Sequence, residues 1–165
     1  MILSNVQTID VFVNSAKLND LKILHLSDLH INKKTNLENV QKLVNLCNDL
    51  VFDFCVITGD IIDTKVKFIK EQLQILNTLK FKVYYISGNH DFFYGLEDLK
   101  NELSNFIFMD NSCKEFIYKN ETIFLAGLPD RFSKFFGIKR EEEKIKNYLL
   151  NEPSIFISHQ PKDYK

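Results

Sequence analysis

The chain has 165 residues, of which 45 % are apolar and 26 % charged, with 21 basic against 22 acidic side chains. That length and composition fit a single globular domain with a sizeable core, and a net charge of −1 gives no basic field for nonspecific nucleic-acid binding. Cys47, Cys55 and Cys113 form no Cys-x-x-Cys pair, which excludes a zinc knuckle or thioredoxin-type motif and fits buried thiols in a reducing compartment.

No apolar run approaches the ~18 residues of a membrane span. Met1–Phe12 lacks the basic start and continuous apolar stretch of a signal peptide. The expected location is cytoplasmic, with attachment at a membrane surface if an anchor precedes Met1.

In chain order, the loose alternation of Val6–Val13 predicts an edge strand, and Leu21–Leu26 a second strand. Thr35-x-x-Glu38 has the form of a capping box. It precedes Leu37, Val40, Val44, Cys47 and Val51, spaced as a helical stripe. Phe54–Ile57 is a continuous apolar strand. Val66, Ile69, Leu73 and Leu76 mark an amphipathic helix ending near Lys80, and Val83–Ile86 is again a strand. Leu96, Leu99, Leu103 and Phe106 predict a third helix. Ile107–Met109, Glu115–Tyr118 and Thr122–Ala126 follow as strands, the last two joined by a turn at Lys119-Asn120. Gly127–Gly137 reads as a loop, Glu141–Leu150 as a fourth helix and Ser154–Ser158 as a final strand. Alternating strands and helices imply a βαβ core with helices over the sheet, and the strand pair at Glu115–Ala126 implies a mixed or second sheet.

Four strands run into polar loops that carry ligand-type residues: Asp28-x-His30, Gly59-Asp60-x-x-Asp63, Gly88-Asn89-His90-Asp91 and Ser158-His159. In layered α/β folds such strand ends converge on one crevice. Taken alone, Asp28-x-His30 reads as a turn aspartate beside a packed histidine, and Asp63 or Thr64 as a helix N-cap. Asn89-His90 alone reads as turn chemistry, and His159 as a satisfied structural histidine. Brought together, these carboxylates, imidazoles and one amide suit hard or borderline divalent cations. His25 lies within a strand and reads as a core or sheet-face residue. Phe92, Phe93 and Tyr94 read first as core and second as an apolar wall for a lipid or a base. Lys33, Lys34 and Arg131 read first as surface charges and second as phosphate contacts.

In this order the motifs resemble the calcineurin-like metallophosphoesterase family, over roughly residues 21–159. The segments around Leu26–His30 and Ser158–Pro161 look most like its bacterial membrane-associated subgroup, some of whose members act on lipid-linked or nucleotide-sugar phosphodiesters. The resemblance implies a layered β-sandwich flanked by helices, of α/β class, and two divalent ions such as manganese, iron, zinc or cobalt. It implies that Asp28 and His30 bind the first metal, that Asp60 bridges both, and that Asn89 and His159 bind the second. His90 would protonate the leaving oxygen or steady the phosphoryl group, with Asp63 orienting it. The implied reaction is hydrolysis of a phosphomonoester or phosphodiester by a hydroxide activated between the metals. A phosphorylated small molecule or a lipid-linked phosphoester is the expected partner, and the sequence assigns no substrate-binding residue.

The family's last motif, Gly-His-x-His, does not occur, and six residues follow His159. The chain, residues 1–165, is therefore expected to be the amino-terminal part of one longer metallophosphoesterase domain, with metal binding impaired and a sheet edge left open. Two other readings compete: an inactive scaffold keeping part of the metal site, and a nuclease of the same family. The second would need a basic track that the charge balance does not supply.

Overall fold

The computed structural model describes residues 6–13, 15–149 and 153–164. Four short apolar segments form a parallel sheet in the order β1-β2-β3-β4: β1 (Ile23–Leu26), β2 (Phe54–Ile57), β3 (Val83–Tyr85) and β4 (Phe106–Phe108). Parallel neighbours require crossovers. These are α1 (Leu37–Asp49), α2 (Lys70–Leu76), and the pair α3 (Asn89–Tyr94) and α4 (Leu96–Glu102). A one-directional strand order with right-handed crossovers puts every helix on the same face. The core agrees: Val40, Val44 and Cys47 of α1, Leu73 and Leu76 of α2 and Leu99 of α4 share one cluster with Cys55, Ile57, Val83 and Tyr85 of the sheet.

The other face of this sheet is covered by a second sheet. It contains β5 (Ser112–Tyr118), β6 (Glu121–Gly127) and β7 (Ser154–Ile157), with β5 antiparallel and β7 parallel to β6. Phe54, Val56, Ile86 and Met109 meet Leu125 and Ile157 between the sheets. Strand β2 thus buries alternate residues in two different cores, which is why it reads as an unbroken apolar run. On the outer face of the second sheet, Ile145 of α5 (Glu142–Leu149) packs on Ala126 and Leu128. The layers are helices, parallel sheet, mixed sheet and helix. At Gly127 the sheets approach so closely that a Cβ would stand 2.7 Å from Ile86 Cγ2 and 2.8 Å from the Met109 carbonyl oxygen.

The layered α/β architecture and seven of the predicted strands are present. The strand expected at Val6–Val13 is not: residues 6–13 are exposed, Phe12 fully so, and no described strand lies alongside to accept their hydrogen bonds. Helix α1 starts one residue later than the capping box implies. Asn36 is the cap, its Oδ1 accepting the Glu38 N–H at 2.9 Å, while Thr35 Oγ1 accepts the Asn32 N–H instead. The helix predicted from Val66 is broken into a 3-10 turn, Val66–Phe68, and α2, and Phe106 belongs to β4 rather than to the third helix. Arg131–Phe136, expected as loop, is a 3-10 helix. The predicted end of the fourth helix, Leu150, lies outside the described residues. Among the described residues β1 pairs only with β2, and β7 only with β6.

Candidate metal centre

The loops after β1, β2, β3 and β7 meet at one end of the sheets. Asp28, His30 and Asp60 hold φ values of 54°, 45° and 55°, the left-handed region that costs a non-glycine residue about 1–3 kcal/mol. Three such residues in two neighbouring loops mark a backbone bent to aim side chains. Backbone bonds lock the bend: the Asp28 N–H donates to the Gly59 carbonyl at 3.1 Å and the His30 N–H to the Asp60 carbonyl at 3.0 Å. Gly59, at φ 98°, lets the β2 loop touch the β3 loop, since a Cβ there would lie 2.7 Å from Gly88 N, Gly88 Cα and His159 Nδ1.

The donor atoms cluster tightly. His30 Nε2 is 3.6 Å from Asp28 Oδ1 and 3.8 Å from Asp60 Oδ2. On its other side Asp60 Oδ2 is 3.5 Å from His159 Nε2, which is 3.2 Å from Asn89 Oδ1. Two ligand atoms ~2.1 Å from one ion, at angles of roughly 90–110°, stand about 3.0–3.4 Å apart. The spacings match that demand to within a few tenths of an ångström, and carboxylate, imidazole and amide donors suit divalent transition metals. Asp60 is 3 % exposed, whereas the Asp28 side chain is 54 % exposed, so the pocket opens towards Asp28.

All five ligands expected from the sequence therefore come together. The two residues expected as a catalytic pair are in contact: His90 Nδ1 is 2.9 Å from Asp63 Oδ1, and the His90 ring meets the His30 ring edge-on with centroids 4.6 Å apart. A carboxylate only accepts, so Nδ1 carries the proton and Nε2 is left for other work. His30, Asp63 and His90 also form a compact triad of their own. The short His90–Asp63 hydrogen bond already occupies two of its members, which favours grouping His30 with Asp28 and Asp60.

Two structural roles are not legible in the motifs. Asp91, fully buried, accepts N–H bonds from Asp60 (2.7 Å), Gly88 (2.9 Å) and Ile62 (3.2 Å), and so rivets the two ligand loops together. Burial pushes its carboxyl up to about 6, opposed by the Tyr85 hydroxyl and by the Gly88 and Ile62 N–H groups. Its only sequence signal is an acid directly after Asn89-His90. Asp110, just beyond β4, accepts from the Ser87 N–H (3.0 Å) and hydroxyl (2.7 Å), fixing the start of the same loop.

The residues with two open readings divide. Phe92 is core, at 4 % exposed, while Phe93 is 67 % exposed. Arg131 is paired with Asp163 at 2.7 Å, and Lys33 Nζ lies 3.6 Å over the Phe68 ring. His25 lies on the exposed face of β1, its Nε2 2.7 Å from Thr58 Oγ1.

Comparison with known proteins places the chain in a family. The model of the calcineurin-like phosphoesterase family matches residues 21–165. An uncharacterized metallophosphoesterase of Campylobacter jejuni is 31 % identical over 95 % of the chain and 42 % of its own length. One from Helicobacter pylori is 28 % identical over 88 % of the chain and 40 % of its own length. The chain thus spans about 40 % of the length of these relatives. Among solved structures, the NAD nucleotidase NadN of Haemophilus influenzae shares the fold, with a TM-score of 0.61 at 18 % identity over 87 % of the chain and 35 % of NadN. With the family's fold in its two packed sheets and the family's motifs gathered at their ends, the chain belongs to the calcineurin-like phosphoesterases.

Proposed function

We propose that the protein carrying this chain hydrolyses phosphoesters with the help of two divalent ions. The observation that carries the reading is Asp60 Oδ2, which lies 3.8 Å from His30 Nε2 on one side and 3.5 Å from His159 Nε2 on the other. In this reading Asp28 and His30 would hold one ion, Asn89 and His159 would hold the second, and Asp60 would serve both. Its Oδ1 accepts the His90 N–H at 2.9 Å, which leaves a single oxygen for the shared position. When bound, such a pair supplies Lewis acidity and a water of lowered pKa beside the phosphoryl group.

The donor set carries two negative charges, from Asp28 and Asp60, because Asn89 and the imidazoles are neutral ligands. Two divalent ions leave the site positive, as an anionic ester requires. In this reading His90, carrying a proton on each ring nitrogen, gives the Nε2 proton to the leaving oxygen, and its 2.9 Å contact from Nδ1 to Asp63 supports the role by steadying the ring. The substrate in this reading is a phosphorylated small molecule or a lipid-linked phosphoester. Support for an apolar portion comes from the exposed rings of Phe93 (67 %), Phe135 (69 %) and Phe136 (46 %), the last stacked on Phe92 of α3. Such rings also suit contact with a membrane surface. No helix among the described residues is long and apolar enough to cross one.

The test is hydrolysis of phosphodiesters in the presence of Mn2+. His90→Ala should cut kcat roughly 100-fold or more for an alkyl leaving group, and much less for p-nitrophenolate, which departs without a proton. Activity independent of metal, or equal losses on both substrates, would refute the assignment.

A further inference from the structure

Beside the ligand cluster runs a hydrogen-bonded chain that no metal position accounts for. His25 Nε2 is 2.7 Å from Thr58 Oγ1, Thr58 Oγ1 is 3.1 Å from Ser27 Oγ, and Ser27 Oγ bonds Asp28 Oδ2. The direction of every hydrogen follows from its end. A carboxylate only accepts, so the single Ser27 hydroxyl hydrogen goes to Asp28. Thr58 must then give its own hydrogen to Ser27, and His25 must donate from Nε2–H to Thr58. All three donors point towards Asp28.

The consequence concerns which oxygen of Asp28 is free. Oδ2 is held by Ser27, whereas Oδ1 is the oxygen that faces His30 Nε2, at 3.6 Å. We propose that Thr58 and Ser27 are positioning residues that hold Asp28 by Oδ2 and present Oδ1 alone to a cation shared with His30. The proposal rests on the two-ion reading above. Asp28 needs such a hold more than the other ligands: its side chain is half exposed and its backbone sits at φ 54°, so packing alone does not fix it. Partners that orient a ligating carboxylate typically change metal affinity 10–100-fold.

Thr58 is also joined to the second ligand group. Its carbonyl lies 2.6 Å from His159 Nδ1, which leaves His159 Nε2 for Asp60 and Asn89. Because this bond is to the backbone, substitution of the Thr58 side chain separates the two arms. The hydroxyls of Ser27 and Thr58 line an open cavity of about 320 Å3, together with His25 and Ser158, so their removal leaves no closed void.

The experiment is titration of the metal-free, whole protein with Mn2+ by calorimetry, alongside the melting temperature of each metal-free variant. Ser27→Ala and Thr58→Val should each weaken one of two binding steps about 10–100-fold while leaving the other step and the metal-free melting temperature near wild type. Thr58→Ser should restore the affinity, and the Ser27→Ala/Thr58→Val double variant should be no weaker than the weaker single. Both single variants within twofold of wild type would overturn the proposal, as would a Thr58→Ser variant as weak as Thr58→Val or a matching fall in melting temperature. Wild type that binds Mn2+ but hydrolyses no phosphoester sinks only the enzymatic reading; wild type that binds no Mn2+ sinks both.

Discussion

Replacing Asp91 by Ala tests the rivet between the two ligand loops. The carboxylate is fully buried and accepts three backbone N–H groups, from Asp60, Ile62 and Gly88. Its loss strands three buried donors, at about 1–3 kcal/mol each. An opposing term comes from burial, which pushes the carboxyl from an ordinary 3.8 up to about 6. The folded protein then binds this proton more tightly than the unfolded chain, so ionisation of Asp91 costs about 3 kcal/mol of stability at pH 7. The stranded donors outweigh that relief, and the net cost of the substitution is about 3 kcal/mol at pH 7. The sign of the pH dependence follows. Wild type regains stability as pH falls through about 6 towards 3.8, the variant has no such group, and the gap between them therefore widens from pH 7 to pH 5. Urea unfolding of metal-free protein at both pH values measures it. A variant within 1 kcal/mol of wild type at pH 7, or a gap that does not change with pH, would refute the reasoning.

Asp163 gives the opposite pH signature. Desolvation would raise its pKa, but hydrogen bonds from Ser158, Arg131 and Arg140 outweigh burial and hold it below the usual carboxylate range. Its stabilisation is fully present above the ordinary carboxylate value of 3.8 and is lost progressively as pH falls below it towards the depressed folded value, so Asp163→Asn should cost about 2 kcal/mol at pH 7 and progressively less as pH falls below 3.8 in thermal melts. Gly59→Ala puts a Cβ into the Gly88 backbone at φ 98°, and should destabilise by about 3 kcal/mol in urea unfolding. Cys47 and Cys55 are buried, with the Cys47 thiol pushed up to about 11 and Cys55 higher still by desolvation. An aromatic disulfide reagent should therefore label Cys113 alone in native protein and all three thiols in denaturant, as counted by absorbance or mass.

The sequence by itself determined the parallel sheet and which ligand-type residues gather at its end. Apolar runs of three or four residues ending in Asp28-x-His30, Gly59-Asp60, Gly88-Asn89-His90 and Ser158-His159 are local signals. They survive because strand ends in such sheets have only one place to go. The Val6–Val13 alternation failed for the complementary reason: a strand exists only if a neighbour accepts its hydrogen bonds, and periodicity does not name the neighbour. The cap of α1 moved from Thr35 to Asn36 because both side chains compete for nearby N–H groups, and the loop decided between them.

Only the tertiary structure decided how the ligands are held. The left-handed backbone at Asp28, His30 and Asp60 is sustained by bonds between the β1 and β2 loops, some 30 residues apart in sequence. The Asp91 rivet and the His25–Thr58–Ser27–Asp28 chain tie the loop after β2 to groups some 30 residues away in sequence, and no local motif records those long-range pairings. Which oxygen of a carboxylate remains free depends on who donates to the other one, and donors from distant segments are set by packing rather than by neighbours along the chain.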